Sequence, residues 1–201
     1  MPSVYDLKPA FQNLLRPICR GLAAAGVTAN QITVAAVVLS GLAGGAIAMF
    51  PDQPHLLLLI PVALFVRMAL NAIDGMLARE HGMKSPLGGI LNELGDVVSD
   101  AALYLPFAVI PDVPAAAVVV VVLLAVVSEM TGVVAVAIGA SRRYDGPMGK
   151  SDRALWFGVL ATVLGVGVSP RPWIGPALLV ITLLLLLTIV NRVRRALREV
   201  S

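Results

Sequence analysis

Eight polar or charged residues stand inside or beside long apolar stretches of this chain: Arg67, Asn71, Asp74, Asn92, Glu93, Asp96, Asp100 and Glu129. A charge in hydrocarbon costs about 2.5–3.5 kcal/mol on insertion scales, so residues of this kind mark function or pairing. Arg67, Asn71 and Asp74 are four and three positions apart and share one helix face, while Asn92, Asp96 and Asp100 follow in steps of four and form a second stripe. A short connection joins the two helices, so Asp74 and Asn92 fall at comparable depth. Carboxylate and amide oxygens without His or Cys suit Mg²⁺ or Mn²⁺, which complete their shells with substrate phosphates, and do not suit zinc. The same residues could form only a polar helix–helix contact built on an Arg67–carboxylate pair. Asp74, Asp96 and Asp100 exceed what one arginine neutralises, which favours a cation.

The elements that must hold these stripes are membrane spans. Of 201 residues, 58% are hydrophobic and 13% charged, against roughly half and about a quarter in soluble domains. Apolar runs at about 32–50, 55–73, 87–110, 114–139, 154–170 and 173–191 match the roughly 20 helical residues needed to cross about 30 Å of hydrocarbon. These runs predict an all-α polytopic membrane protein with six transmembrane helices, as a single domain over 1–201. The juxtamembrane segment 1–28 mixes Leu, Phe and Ile with Lys8, Arg16 and Arg20, the pattern of an interfacial amphipathic helix. Pro17 is expected to break it and Gly26 to end it, with Thr28 or Asn30 capping the next helix. Gly41, Gly44, Gly45, Gly158 and Gly165 read as close-packing positions between helices.

The net charge is +3, but the cations are sorted by loop, which excludes nucleic acid as the partner they serve. Lys8, Arg16 and Arg20 precede the first span, Arg79 and Lys84 follow the second, and Arg142, Arg143, Lys150 and Arg153 follow the fourth. Arg192, Arg194, Arg195 and Arg198 close the chain and read as anchors to anionic lipid. The alternate loops carry at most Arg171. The positive-inside rule thus puts both termini and the polar stripes on the cytoplasmic side of the plasma (bacterial inner) membrane. Cys19 is the single cysteine, so no intrachain disulfide forms. No cleaved signal peptide is expected, because the first apolar run begins near Ile32. His55 and His81 have no ligand pattern around them.

The segment from 71 to 96 reads Asn71-x-x-Asp74-Gly75-x-x-Ala78-Arg79, eight residues, Gly88-x-x-x-Asn92-x-x-x-Asp96. It closely resembles the signature of the CDP-alcohol phosphotransferase family, Asp-x2-Asp-Gly-x2-Ala-Arg-x8-Gly-x3-Asp-x3-Asp, without a gap. Size and span number extend the resemblance over the whole chain. Asn30-x-x-Thr33 is similar to a segment that often precedes the signature, and residues 141–153 look like the family's basic loop. The resemblance implies transfer of a phosphatidyl, or other substituted phosphate, group from a CDP-alcohol, above all CDP-diacylglycerol, to an acceptor alcohol with release of CMP. It implies a homodimer, with two Mg²⁺ or Mn²⁺ ions held by Asn71, Asp74, Asn92, Asp96 and Asp100. Asn30, Thr33, Asp74, Gly75, Ala78, Arg79 and Gly88 would take the CDP moiety, and Asp96 would be the general base. A second registration, one helical turn longer, gives the terminal pair to Asp96 and Asp100 and so makes Asp100 the alternative base. Lys150, Arg153 and Arg142 are expected to hold a phosphate of donor or acceptor. Glu129 either lines the acceptor pocket or pairs with Arg67.

Asn71 and Asn92 depart from the pattern by replacing two of its carboxylates, which weakens the expected metal site unless Glu93 or Asp100 compensates. Two other readings therefore stand beside the enzyme: a catalytically weakened family member that binds nucleotide or lipid, and a small membrane transporter using the same carboxylates. The acceptor itself, whether glycerol phosphate, inositol phosphate, serine or a second lipid, is not legible.

Overall fold

The structure, a computed structural model, describes residues 4–201, with side chains from Ala10 onward. Residues 1–3 of the amphipathic segment and the Lys8 side chain lie outside the described residues. The described chain is helical: α1 Val4–Ala24, α2 Ala29–Met49, α3 Leu59–Glu80, α4 Pro86–Tyr104, α5 Ala115–Ala137, α6 Lys150–Gly165 and α7 Ile174–Val200, with 3₁₀ turns at Pro54–Leu58 and Leu105–Val109. Among the described residues, four segments are long and apolar enough to cross a membrane: Ala29–Met49, Pro54–Glu80, Ala115–Ala137 and Ile174–Val200. The other two expected spans correspond to α4, which carries Glu93, Asp96 and Asp100, and to α6, which has 16 residues. Rows of large apolar side chains stay exposed, such as Val34, Val38 and Leu42 on α2 or Val119, Leu123 and Val127 on α5. Contiguous apolar surface of this kind belongs against lipid.

The chain divides into two compact units, one made of residues up to Leu42 with Ala63–Ser99, the other of Ala43–Val62 with Asp100–Ser201. In the first unit, Leu15 and Cys19 of α1 pack with Ala29 and Ile32 of α2 and Ile73, Met76 and Leu77 of α3. Leu14 and Ile18 remain exposed, and Arg16 pairs with Glu80 at 3.3 Å. Contrary to expectation, α1 runs through Pro17 without a break; Pro17 and Asn13 are both exposed, so the carbonyl left without a helical donor there lies on an open side of the helix. Gly26, at φ 77°, ends α1. Thr28 and Gln31 then cap α2 reciprocally, Gln31 N–H donating to Thr28 Oγ1 at 3.3 Å and Thr28 N–H to Gln31 Oε1 at 2.9 Å.

The second unit centres on α5 and α7. The buried face of α7 runs Ile174, Leu178, Ile181, Leu185, Thr188, Arg192 and Ala196, and that of α5 runs Val118, Val121, Val122, Ala125 and Ser128. Of the glycines read as packing positions, Gly44 abuts the Ala102 carbonyl and Gly165 abuts Leu58, leaving no room for a Cβ, whereas Gly41 and Gly45 face open space.

Candidate active site

The first unit contains a cavity of about 380 Å³ where α2, α3 and the start of α4 converge. Its wall gathers Asn30 and Thr33 from α2, Asp74, Gly75, Ala78 and Arg79 from α3, and Gly88 and Asn92 from α4, with Lys84 and Ser85 from the connection. The convergence follows from local rules. Thr28 starts α2 so that Asn30 and Thr33 fall on its first turns. Ser85 accepts the Gly88 N–H at 3.0 Å and starts α4 at Pro86, which holds Gly88 at the cavity.

Asp74 is 6% exposed, and its Oδ2 accepts the Thr33 hydroxyl at 2.9 Å. Arg79 folds back over Gly75: a Cβ on Gly75 would lie 3.1 Å from its guanidinium. A Cβ on Gly88 would lie 2.8 Å from Asn30 Oδ1. The two glycines therefore leave the room that the Arg79 guanidinium and the Asn30 amide occupy at the cavity wall. Asp74 is the one carboxylate among the described lining residues.

Asp96 and Asn71 do not line this cavity. Asp96 Oδ1 accepts from the buried Arg67 at 3.4 Å and from the Asn71 amide at 3.2 Å, and Arg67 also donates to the Asp96 carbonyl at 3.0 Å. Of the two readings open at the outset, the Arg67–carboxylate pair is thus present, beside a cavity that still holds Asp74. Among the described residues no group of three His, Cys, Asp or Glu comes together. Asp74 and Asn92, from α3 and α4, both line the cavity and carry side-chain oxygens of the kind Mg²⁺ or Mn²⁺ takes.

Asp100, expected as metal ligand or alternative base, is paired with an arginine. It is 5% exposed, and its Oδ2 accepts both Nε and Nη2 of Arg153 at 3.1 and 2.8 Å. Arg153 is 1% exposed and also donates to Glu129 Oε1 at 3.0 Å. Glu129 accepts from Arg142 at 3.0 Å and from Arg192 at 3.4 Å. The partners of Glu129 are thus three arginines of its own unit, while Arg67 serves Asp96. Gly132 leaves the room that Arg142 occupies, since a Cβ there would overlap the guanidinium.

Arg192 is not the lipid anchor its neighbours suggested. It is 1% exposed and reaches the Ser128 carbonyl and the Asp145 carbonyl. Its position on the buried stripe of α7, four residues after Thr188, is the signal that separates it from Arg194, Arg195 and Arg198. The loop before α6 is tied to the same helix. Glu199 accepts from the Ser141 N–H and hydroxyl at 2.8 and 2.9 Å and pairs with Arg143, and Asp145 pairs with Arg143 and Arg195 at 2.8 and 2.9 Å. Lys150 sits half-buried in the first turn of α6.

Residues 26–197 match the family model for CDP-alcohol phosphatidyltransferase. The chain belongs to this family. As a CDP-alcohol phosphatidyltransferase it is an enzyme of the transferase class. It is 46% identical over 195 residues to inner membrane protein YnbA of Escherichia coli, a match covering 97% of this chain and 96% of that one. Over about half its length it is 31% identical to phosphatidylinositol phosphate synthase of Mycobacterium tuberculosis, covering 48% of this chain and 43% of the synthase. The solved structure of that synthase with CDP-DAG bound superposes with a TM-score of 0.68 at 26% identity, over 92% of each chain. Its complex with manganese and citrate shares the fold with a TM-score of 0.71 at 22% identity, over 90% of this chain and 87% of the synthase. Within the phosphatidyltransferase, Asp74, Gly75, Ala78, Arg79, Gly88 and Asn92 of the signature line the first unit's cavity, and Asn71 and Asp96 stand outside its lining.

Proposed function

We propose that this phosphatidyltransferase uses CDP-diacylglycerol, or a related CDP-alcohol, and transfers its substituted phosphate to an acceptor hydroxyl with release of CMP. The observation that carries the reading is the cavity itself, in which Asp74, Gly75, Ala78, Arg79, Gly88 and Asn92 meet Asn30 and Thr33. The cytidine lies along the wall formed by Gly75, Ala78 and Gly88, the least bulky part of the lining, beside Asn30, and Arg79 meets the diphosphate. Thr33 fixes the Asp74 carboxylate. Asp74 and Asn92 are the oxygen-bearing side chains of the cavity that would hold a divalent ion. A bound divalent ion offsets the charge that builds on CMP as it departs.

Asp96 takes the acceptor's proton, its carboxylate oriented by Arg67 and Asn71. The acceptor oxygen forms a bond to the β-phosphorus of the donor, and the phosphoanhydride bond to CMP breaks. For the acceptor we keep the basic group of Lys150, Arg142 and Arg153 with Glu129. The buried part of that group sets Arg142, Arg153 and Arg192 against Asp100 and Glu129, an excess of positive charge that suits a phosphorylated alcohol.

In the same reading α4 and α6 complete six spans, both termini and the cavity face the cytoplasm of the inner membrane, and the enzyme is a homodimer. The cation-rich connections after α3 and α5 support that orientation.

Purified protein incubated with CDP-diacylglycerol, Mg²⁺ or Mn²⁺ and a panel of polyol, phosphorylated polyol and amino-alcohol acceptors should yield one phosphodiester lipid and equimolar CMP by mass spectrometry. Absence of product and of CMP with every acceptor rejects the reading. Gly88→Val places a branched side chain against Asn30 and should weaken CDP binding about tenfold or more. Equilibrium dialysis with labelled CDP checks this, and unchanged affinity would move the nucleotide elsewhere.

A further inference from the structure

The loop between α5 and α6 leads into the basic residues assigned above to the acceptor, and it is tied to α7 along most of its course. The attachments follow one face of that helix at Thr188, Arg192, Arg195 and Glu199, spaced four, three and four apart. Thr188 Oγ1 accepts the Met148 N–H at 2.9 Å. Gly146, at φ 120°, lies so close to Thr188 that a Cβ would meet it at 2.6 Å. Arg192 donates to the Asp145 carbonyl at 3.3 Å, and Arg195 pairs with the Asp145 carboxylate at 2.9 Å. Glu199 accepts from the Ser141 N–H and hydroxyl at 2.8 and 2.9 Å and from Arg143. With 27 residues, α7 is about 40 Å long and exceeds about 30 Å of hydrocarbon by roughly two turns. Arg192, Arg195 and Glu199 lie on those turns, after the apolar run ends at Val190.

The side chains of Glu199 and Arg195 are 38% and 63% exposed, and ion pairs this open to solvent add little to stability. The second unit is held instead by the buried pairs of Arg153 and Arg192. What Glu199 does fix is the backbone on both sides of Arg142. The Arg142 guanidinium donates to the Arg143 carbonyl at 2.9 Å and to Glu129 at 3.0 Å. A few residues on, the same run of chain enters α6, where Gly149 N–H donates to Asp152 at 2.9 Å and sets the turn that carries Lys150 and Arg153.

We propose that the end of α7 is a post that sets the basic loop for the acceptor phosphate, with Glu199 as its positioning residue. The inference rests on the proposed placing of a phosphorylated acceptor at Arg142, Lys150 and Arg153, and it adds the element that holds them in register. Glu199 acts on Arg142 through Ser141 and Arg143. Removing it loosens the loop and leaves the buried arginine pairs in place, so the acceptor's KM rises while donor binding, kcat and unfolding hold.

The test is steady-state CMP release by the full chain in nanodiscs, with CDP-diacylglycerol and Mg²⁺, against glycerol phosphate and inositol phosphate as acceptors. Inorganic phosphate serves as the competing anion. Glu199→Ala should raise the KM of the phosphorylated acceptor, and the inhibition constant of phosphate, at least about fivefold, the low end of coupling between separate sites. The KM of CDP-diacylglycerol, kcat and the unfolding midpoint should stay near those of the unaltered chain. Glu199→Gln, which keeps one oxygen for the Ser141 N–H, should fall between the two. An acceptor KM that does not move overturns the inference. A joint fall in kcat and in the unfolding midpoint, with both KM values raised alike, also overturns it by marking a merely structural role. Should Glu199→Ala not fold, Ser141→Ala, which loses one hydroxyl contact, must show the same split at smaller size, and its absence overturns the inference. If neither phosphorylated acceptor reacts and phosphate does not inhibit, while another alcohol yields CMP, the acceptor reading fails with this inference and the donor reading stands. If no acceptor yields CMP, the donor reading fails and takes the inference with it.

Discussion

Asp96→Asn should lower CMP release from CDP-diacylglycerol by about 10²–10⁴-fold, the range that a positioned general base contributes. The change removes the proton acceptor but keeps the shape and an oxygen able to accept from Arg67 and Asn71. Arg67 also retains its hydrogen bond to the Asp96 carbonyl at 3.0 Å, so the buried guanidinium is not stranded. Thermal unfolding in detergent should therefore shift little, and CDP affinity should stay within a few-fold of the unaltered enzyme. A steady-state assay of CMP formation, run beside CDP binding, separates the two effects. Full activity in Asp96→Asn would assign the base elsewhere, and lost CDP binding would show that Asp96 shapes the nucleotide site rather than the chemistry.

Arg153→Ala should have the largest effect on stability, about 3–5 kcal/mol, because it leaves Asp100 and Glu129 with one fewer counter-charge in a buried setting. Asp100 receives two donors from Arg153 on a single oxygen, and Glu129 receives a third. Arg153→Lys, which can supply only part of that fork, should fall between the two. The cost should also be non-additive: Asp100→Ala together with Arg153→Ala should destabilise less than the sum of the single variants, since each single change strands the other partner. Thermal or denaturant unfolding in a fixed detergent provides the readout. If Arg153 served only to bind an acceptor phosphate, Arg153→Ala would raise the acceptor KM and leave the unfolding transition in place.

These two residues also mark how far the amino-acid sequence can be read unaided. What depends on local spacing was legible, apart from the break expected at Pro17. The helix-end signals at Gly26 and Thr28 register α2, and the four-residue step from Gly88 to Asn92 sets the face of α4 that lines the cavity. The family signature is legible for the same reason, being one helix, a short connection and the next helix. Pairings across long separations were not. Asp100 continues the stripe of Asn92 and Asp96, and periodicity alone therefore enrols it as a ligand. What assigns it is Arg153, 53 residues away, on a helix whose rotation no local pattern reveals. Glu129 and Arg192 lie 63 residues apart and show the same limit. Arg192 was further concealed by composition, since it opens a run of four arginines that reads as an anchor. Only its place after Leu185 and Thr188 on the buried stripe of α7 distinguishes it.

The charge clusters also separate two kinds of buried acid. Asp74 and Asp96 belong to the unit with the cavity, one lining it and held by Thr33, the other beside it and paired with Arg67. Asp100 and Glu129 belong to the other unit and are outnumbered by arginines, so they hold α4, α5, α6 and α7 residues together within it. The same side-chain type in the same apolar sequence thus does different work according to how many cations face it.

The most direct measurement is where the nucleotide sits. A photoreactive CDP-diacylglycerol analogue, labelled on the cytosine, should be crosslinked to the full chain in nanodiscs and the adducts mapped by peptide mass spectrometry. Adducts should fall on residues 29–33 of α2, 74–79 of α3 and 84–92 around the start of α4, and excess CDP should remove them. Adducts confined to the second unit, or adducts that excess CDP leaves unchanged, would contradict the assignment of this cavity as the seat of the CDP-linked donor.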